Sequence, residues 1–556
     1  MKKFLLYLTL CTVMTISHHL FAFDWPRDSA YLNIKVNDDT TTQLQNEEQI
    51  VINPQDSTNL VAVWRDFRLG YRQVAYGYTF DGGLTWNQDL FVEPQYIWDS
   101  DPGLTVDTAG NYYAVILSYT GSTFEPNGLF VFKSTDGGAT WSDPVTVING
   151  VPDVFEDKEL ITCDRSGGPY TDNLYVAWTR FYNTRILMSR SSDGGNSFEG
   201  PVTVSDINGV QWPVPCVGPN SEVYVAWVGY SPGAIRFDRS FDGGQTFGTD
   251  ITIQNVTFVS GEIYGGIMVF SFPAMDVDIT GGPNNGTIYV AYMDYAPGNT
   301  DTDIYFTRST DGGSTWSEKV RINDDSLNNG CDQFHPWLTV APDGSIIVVF
   351  LDRRLDLGNL FMDLYMTTSA DAGDTWSPNE RITTVSSDPT AGSASLVVKN
   401  PREEYPRKIT EPLILAGRAG LLGEYIGVTA SSIDDIHPMW TDTRFGHQDV
   451  FVGVKDTAGQ YVQEYGDDRM SDVSVIVLPN PARDMVLISI EPDWIARAAL
   501  ITIYDISGRR VKTVNISGNH FLWDRRNDRG ALVGSGVYFC SIESNTTSVM
   551  RKFILF

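Results

Sequence analysis

Basic side chains are scarce in this chain: 39 Lys and Arg stand against 69 Asp and Glu in 556 residues, a formal net charge of −30. That balance excludes nucleic acid as a partner, because binding a phosphate backbone needs a basic face. An anionic membrane surface is repelled for the same reason. Cysteine is scarcer still, and after residue 22 only Cys163, Cys216, Cys331 and Cys540 remain. Four scattered thiols build neither a disulfide scaffold nor a zinc site, so stability must come from packing. Hydrophobic runs long enough to cross a bilayer are missing too, and no membrane insertion is expected. The apolar run at residues 4–16 follows Lys2 and Lys3 and precedes Leu20-Phe21-Ala22, which marks a secretory signal peptide removed after about Ala22. What the chain does have is a core-forming composition, 42% hydrophobic and 12% aromatic, which excludes disorder. Its 50 Gly and 27 Pro point to many turns and hence to β structure.

One motif occurs six times. It runs Thr79-Phe80-Asp81-Gly82-Gly83-Leu84-Thr85-Trp86 and recurs around Asp136, Asp193, Asp242, Asp311 and Asp371, closing on Trp141, Phe198, Phe247, Trp316 and Trp376. The aspartates are spaced by 55, 57, 49, 69 and 60 residues, the size of a four-stranded propeller blade. Aspartate can accept backbone N–H groups in a tight turn, glycine supplies positive φ, and the aromatic ring fills the blade interior. Period-two alternation marks a second strand in seven places: residues 60–64, 112–117, 174–178, 223–227, 288–292, 346–350 and 436–440. The seventh unit has no box and lacks a fourth strand. Residues 31–36 are expected to supply that strand and so close the ring without a free edge.

These motifs resemble the Asp-box of the sialidase (BNR-repeat) superfamily. The resemblance implies an all-β fold and an Asp-box β-propeller; the seven units favour seven blades, and six, the number usual for sialidases, holds if one unit is an insertion. It also implies that the boxes are structural and lie opposite the face that binds ligand. After Ser471 the boxes stop. Leu478-Pro479-Asn480-Pro481, residues 503–511 and 523–530, and the basic-apolar end at 551–556 resemble the C-terminal sorting domain of the bacterial type IX secretion system, a small immunoglobulin-like β-sandwich. That resemblance implies export across an outer membrane to the medium or the cell surface, with the type IX machinery as a partner. A plain accessory sandwich binding sugar or protein is the other reading. The expected organisation is signal peptide 1–22, propeller 23–471 and C-terminal domain 472–556. Residues 23–471 then hold 27 basic and 61 acidic side chains, a net of −34, so the acidity belongs to the propeller.

Ligand-binding residues are sought at the ends of the second strands. Three units share a short pattern there: Trp64-Arg65-Asp66-Phe67-Arg68, Phe350-Leu351-Asp352-Arg353-Arg354 and Trp440-Thr441-Asp442-Thr443-Arg444. Arg68, Arg354 and Arg444 could clamp a carboxylate or sulfate, or each could brace its own Asp66, Asp352 or Asp442. The approaches to the inner strands add Asp99, Asp101, Glu156, Glu159, Trp212, His335 and Trp337, with Glu424 a polar group at the channel mouth. Paired carboxylates there could hydrolyse a sugar, or hold a structural calcium, although no EF-hand spacing supports calcium. No other cofactor is implied. His335 and His447 fit hydrogen-bonded structural roles, and residues 385–423 form either a lid over the ligand face or an ordered insertion. Cys163 and Cys216, at equivalent positions of adjacent units, are expected to stay unpaired.

The superfamily resemblance implies glycans or glycoproteins as partners. Two functions stay open: a sialidase-like glycoside hydrolase, and a non-catalytic binding or adhesion propeller. The Arg-Ile-Pro motif of catalytic sialidases is absent. Glu424 and Tyr425 are adjacent on one strand, so they cannot together form the glutamate–tyrosine pair those enzymes use.

Overall fold

A computed structural model describes residues 29–92, 96–120, 126–182, 184–298, 300–390 and 422–455, and in the C-terminal part 475–478, 486–490, 499–505, 509–516, 520–543 and 548–555. The signal peptide, the 471/472 boundary and most of residues 385–423 lie outside these. The chain divides into two compact units, Met1–Asp456 and Thr457–Phe556.

In the first unit, seven four-stranded antiparallel sheets follow one another along the chain. Their inner strands are Gln45–Asn53, Trp98–Val106, Glu156–Cys163, Val210–Val217, Ala274–Val277, Gln333–Val340 and Gly427–Ser432. Each inner strand lies against the next, and the last lies against the first, so the sheets form a closed ring around an axis. The seventh sheet is completed by the N-terminal strand Tyr31–Lys35, which pairs in unbroken register with Asp449–Lys455. Closure of this kind joins the two ends of the unit and leaves no sheet edge where the ring meets.

Second strands carry the hydrophobic weight. Trp64, Trp178, Trp227 and Trp440 occupy equivalent positions and are fully buried. Burying a ring of that size stabilises by ~4–6 kcal/mol at ~25 cal/mol per Å². The box turns sit at the opposite end of each sheet from the second-strand termini. In the fifth box, Asp311 accepts from Thr315 N (2.8 Å), Thr315 Oγ1 (2.6 Å) and Ser309 Oγ (2.8 Å), and Gly313 N donates to Ser309 Oγ (2.8 Å). These donors hold the Asp311 carboxyl down at about 2. The second glycine of each box is obligatory. Gly313 has φ +83°, and a Cβ there would lie 2.2 Å from Phe237 on the preceding sheet. The sixth box replaces the first glycine with Ala372, which adopts φ 61°. Box aromatics wedge between neighbouring sheets: Trp141 meets Tyr76 edge-on at 5.7 Å, and Trp376 meets Phe306 at 4.9 Å.

Sequence alternation did not reveal a two-stranded hairpin, Ser260–Ile263 with Ile267–Phe270, between the fourth and fifth sheets. It occupies the longest interval between boxes. Arg353, fully buried, fastens it by donating to Tyr264 O (2.9 Å).

The second unit holds a three-stranded sheet (Val475–Leu478, Val486–Ile490, His520–Trp523) and a four-stranded sheet (Arg510–Ile516, Ala499–Asp505, Gly536–Glu543, Ser548–Leu555). Their shared core includes Val486, Ile488, Ile501, Ile503, Trp523 and Cys540, as a small sandwich requires. Among the described residues of both units there is no helix.

Candidate functional site

The inner strands begin on the face where the second strands end, called here the loop face; the boxes lie on the other. In five of the seven sheets the inner strand starts with a bulge, between Asn46 and Gln49, Ser100 and Gly103, Asp157 and Leu160, Gln211 and Val214, and Phe334 and Trp337. Inside each bulge one non-glycine residue takes left-handed φ: Glu47 (61°), Asp101 (50°), Lys158 (56°), Trp212 (66°) and His335 (47°). Each such residue costs roughly 1–2 kcal/mol. A bulge re-aims a side chain, and here four of the five bulges bring Glu47, Asp101, Lys158 and Trp212 together. Proline follows at Asp101-Pro102, Trp212-Pro213 and His335-Pro336, and also at Phe272-Pro273 before the fifth inner strand.

The result is a plug built around one ammonium. Lys158 Nζ lies 2.8 Å from Asp101, 3.9 Å from Glu47 and in contact with Glu424, and sits 4.7 Å over the Trp212 ring. Glu47 is shared with Arg65 at 3.0 Å. Trp212 stacks on Phe272 at 4.9 Å, and Trp337 approaches Tyr425 at 6.2 Å. Between Glu159, Leu160, Trp212, Phe272, Trp337 and Tyr425 only about 10 Å³ is empty, room for about one water.

Proton affinities in the plug diverge. Burial pushes Glu47 up to about 7 and Glu48 up to about 8. Glu159 is pushed well above the usual carboxylate range by burial and by Asp101, and neither of its oxygens has a hydrogen-bond partner. Burial also acts on Asp101, but the Lys158 ammonium outweighs it and holds that carboxyl below the usual range. Burial, Glu47 and Asp101 push the Tyr425 hydroxyl well up, which makes it a poor nucleophile; it donates to Pro102 O at 3.2 Å. His335 is buried and kept neutral, its pKa lowered to about 3 by burial. His447 lies 3.2 Å from Asp449, which raises its pKa.

The three Asp/Arg pairs stand apart from this plug. Asp66 accepts from Arg68 N (2.7 Å), Nε (2.8 Å) and Nη2 (2.6 Å), and Arg68 also reaches Gln88 on the outer strand. Asp352 holds Arg354 through N (2.7 Å), Nε (2.8 Å) and Nη2 (2.7 Å), with the guanidinium 4.4 Å over Tyr365. Asp442 holds Arg444 in the same way, and that guanidinium lies 4.4 Å over Phe451. Each arginine thus has its charge already matched by its own aspartate, while Arg354 also reaches Asp324 and Arg444 reaches Thr384, both beyond the fourth strand of the preceding sheet. Of the candidates named from sequence, the structure brings together Asp101, Glu159, Trp212, Trp337 and Glu424. Asp99 and Glu156 instead brace their own sheets, Asp99 accepting from Ser118 Oγ (2.6 Å) and Glu156 from Trp178 Nε1 (2.6 Å). Glu47, Arg65 and the central role of Lys158 were missed. The residue-proline step marks other inner-strand starts, but no proline follows Glu47 or Lys158, so it carries no signal for them.

Among the described residues no group of three or more His, Cys, Asp or Glu could hold a metal ion. Cys163 and Cys216 are free, buried thiols.

The sheet circuit and the boxes define an Asp-box β-propeller with an appended β-sandwich. Residues 476–555 match the family model of the secretion system C-terminal sorting domain. No curated protein matches the sequence. Among solved structures, the chain is similar to the Hadza microbial sialidase, at 15% identity over 58% of this chain and 65% of that one, TM-score 0.41. It is also similar to the leech intramolecular trans-sialidase, at 13% identity over 57% and 67%, TM-score 0.42. The α-L-arabinofuranosidase of Fusarium graminearum aligns at 14% identity over 58% and 93%, TM-score 0.40. The chain spans just under two thirds of the first of these proteins.

Proposed function

We propose that this is an exported propeller that engages glycans on its loop face as a binding protein, carried out by its C-terminal sorting module through the type IX machinery. The observation that carries the choice of binding over hydrolysis is the plug. Acid/base hydrolysis needs two carboxylates with room for a sugar, and a water, between them. Here Asp101, Glu47 and Glu424 instead all converge on the single ammonium of Lys158. A sialidase also needs arginines free to take its substrate's carboxylate, and Arg68, Arg354 and Arg444 are each matched by their own aspartate. Glycan engagement rests on the superfamily resemblance and on the exposed rings of the loop face. Tyr182 and Tyr264 are 75% and 64% exposed, and such faces stack on pyranose rings.

A glycoside hydrolase remains the second reading because of one observation. Asp101 is held ionised by Lys158 while nearby Glu47 is pushed up to about 7, and divergent carboxyl affinities are what acid/base hydrolysis uses. The test is a glycan array screened with the full secreted chain and with Tyr182→Ala and Tyr264→Ala variants. Saturable binding weakened by either substitution supports the proposal. An array without binders, or binding indifferent to both rings, overturns it.

A further inference from the structure

We propose that the other half of the central channel, open on the box face, is a separate binding site for a small organic anion, its carboxylate or sulfate held by Arg165. This goes beyond the loop-face reading and does not depend on it. Below the plug the axis widens into a cavity of about 670 Å³, walled by the inner strands of all seven sheets. Leu160, Val214 and Trp337 border both spaces and so form the floor between them. The mouth is bordered by turns at the far ends of the inner strands, among them Asn53 to Ser57, Thr108, Arg165 and Thr280. The box of the first sheet abuts this rim, since Gly82 N donates to Thr58 O at 2.9 Å. A volume of this size suits a drug-sized ligand or a short sugar.

Arg165 distinguishes this cavity from a simple solvent channel. It is exposed at the cavity wall and makes no hydrogen bond or ion pair with any described residue. Several other arginines of this acidic propeller are matched by acids, Arg180 by Glu156, Arg190 by Glu199, Arg321 by Asp303 and Asp325, and others, such as Arg72 and Arg185, by neutral acceptors. The carboxylates near Arg165 accept hydrogen bonds from other groups, with only the buried Oδ2 of Asp164 left without one. Asp164 accepts from Ser166 N (2.9 Å) and Oγ (2.5 Å), Asp172 from Thr108 N (3.0 Å) and Oγ1 (2.8 Å), and Asp276 from Val340 N and Val277 N, both at 2.8 Å. A guanidinium with no hydrogen-bonded acid of its own offers its donors to an anion that enters, although Asp276 feels its charge. Deeper in, Ile50, Leu104, Val428 and Ala430 give the wall an apolar band, while Thr105 and Thr162 interrupt it with hydroxyls. The geometry therefore fits an anion with a mixed polar and apolar body.

The experiment titrates the full secreted chain with anilinonaphthalene sulfonate, and with the uncharged N-phenylnaphthylamine as control, following fluorescence. Removing one charged hydrogen-bonding partner should weaken the anionic probe by about 10- to 100-fold in Arg165→Gln, with the uncharged probe unchanged. Thr162→Phe, which fills the channel wall, should abolish binding of both. Glucuronate and a sulfated galactose, added as competitors, separate carboxylate from sulfate; displacement by either, and none by glucose, is expected. Equal affinity of wild type and Arg165→Gln for the sulfonate overturns the proposal. So does binding that survives Thr162→Phe, or displacement by neither acid. Arg165 is exposed and unpartnered, so its replacement leaves the fold intact; unchanged thermal unfolding verifies this.

Discussion

Replacing Lys158 with methionine tests the plug most severely. The ammonium is the shared partner of Asp101 at 2.8 Å, Glu424 in contact and Glu47 at 3.9 Å, and Lys158 is 10% exposed. Glu47 keeps Arg65 at 3.0 Å after the substitution, and Asp101 keeps the Ser100 hydroxyl at 2.5 Å, but Glu424 loses its ion pair. Methionine retains most of the stem that packs on Trp212, so little apolar contact is lost. Breaking a buried ion pair by removing one partner costs about 3–5 kcal/mol. Lys158→Met should therefore lower the free energy of the propeller transition by that amount in urea unfolding, with the slope unchanged. Because Lys158 is what holds Asp101 below the usual range, its loss lets the carboxyls take up protons. The deficit should consequently be larger at pH 8 than at pH 5. Adding Asp101→Asn and Glu424→Gln removes the stranded charges and should recover most of the loss. A Lys158→Met protein within about 1 kcal/mol of wild type, or a triple variant no better than the single, would show that the ammonium does not hold the plug together.

Three further outcomes are expected. Ala372→Gly relieves the one left-handed alanine of the boxes and should stabilise by about 0.5–1 kcal/mol, read as a higher thermal midpoint. Glu48 is pushed up to about 8 by burial, so its contribution is complete below pH 4.5 and is lost as pH rises through 8; Glu48→Gln should flatten the fall in thermal midpoint between pH 5 and 9. Asp311 is held at about 2 by Thr315 and Ser309, so its contribution is present above pH 4 and lost as pH falls toward 2. Asp311→Asn should therefore cost about 1 kcal/mol at pH 7, with the gap to wild type closing over that acid range in urea unfolding.

Much of the scaffold was legible because it is built from short-range devices. A box needs only its own eight residues to close its turn, and Asp311 finds every one of its hydrogen-bond partners within four positions. The closing strand was legible because Tyr31–Lys35 repeats the alternation of a fourth strand, and it pairs with Asp449–Lys455 in register. The fourth strands of the fifth and sixth sheets, Val320–Arg321 and Glu380–Arg381, are only two residues long and too short to show alternation. The hairpin Ser260–Phe270 showed itself only as an interval of 69 residues between boxes. The plug was harder for a physical reason. Lys158 and Glu424 are 266 residues apart and meet only because a bulge turns Lys158 to the axis, while period-two alternation assumes an unbulged strand. The Asp/Arg pattern drew attention for its recurrence, and that recurrence belongs to a brace made separately in each sheet.

Whether the loop face binds glycans without cleaving them is decided by incubating the full-length chain with the glycans it retains and measuring released reducing sugar. Release no faster than in buffer is expected at every pH between 4 and 8. Release above that background, abolished by Asp101→Asn or Glu47→Gln in protein that still binds the glycan, would contradict it.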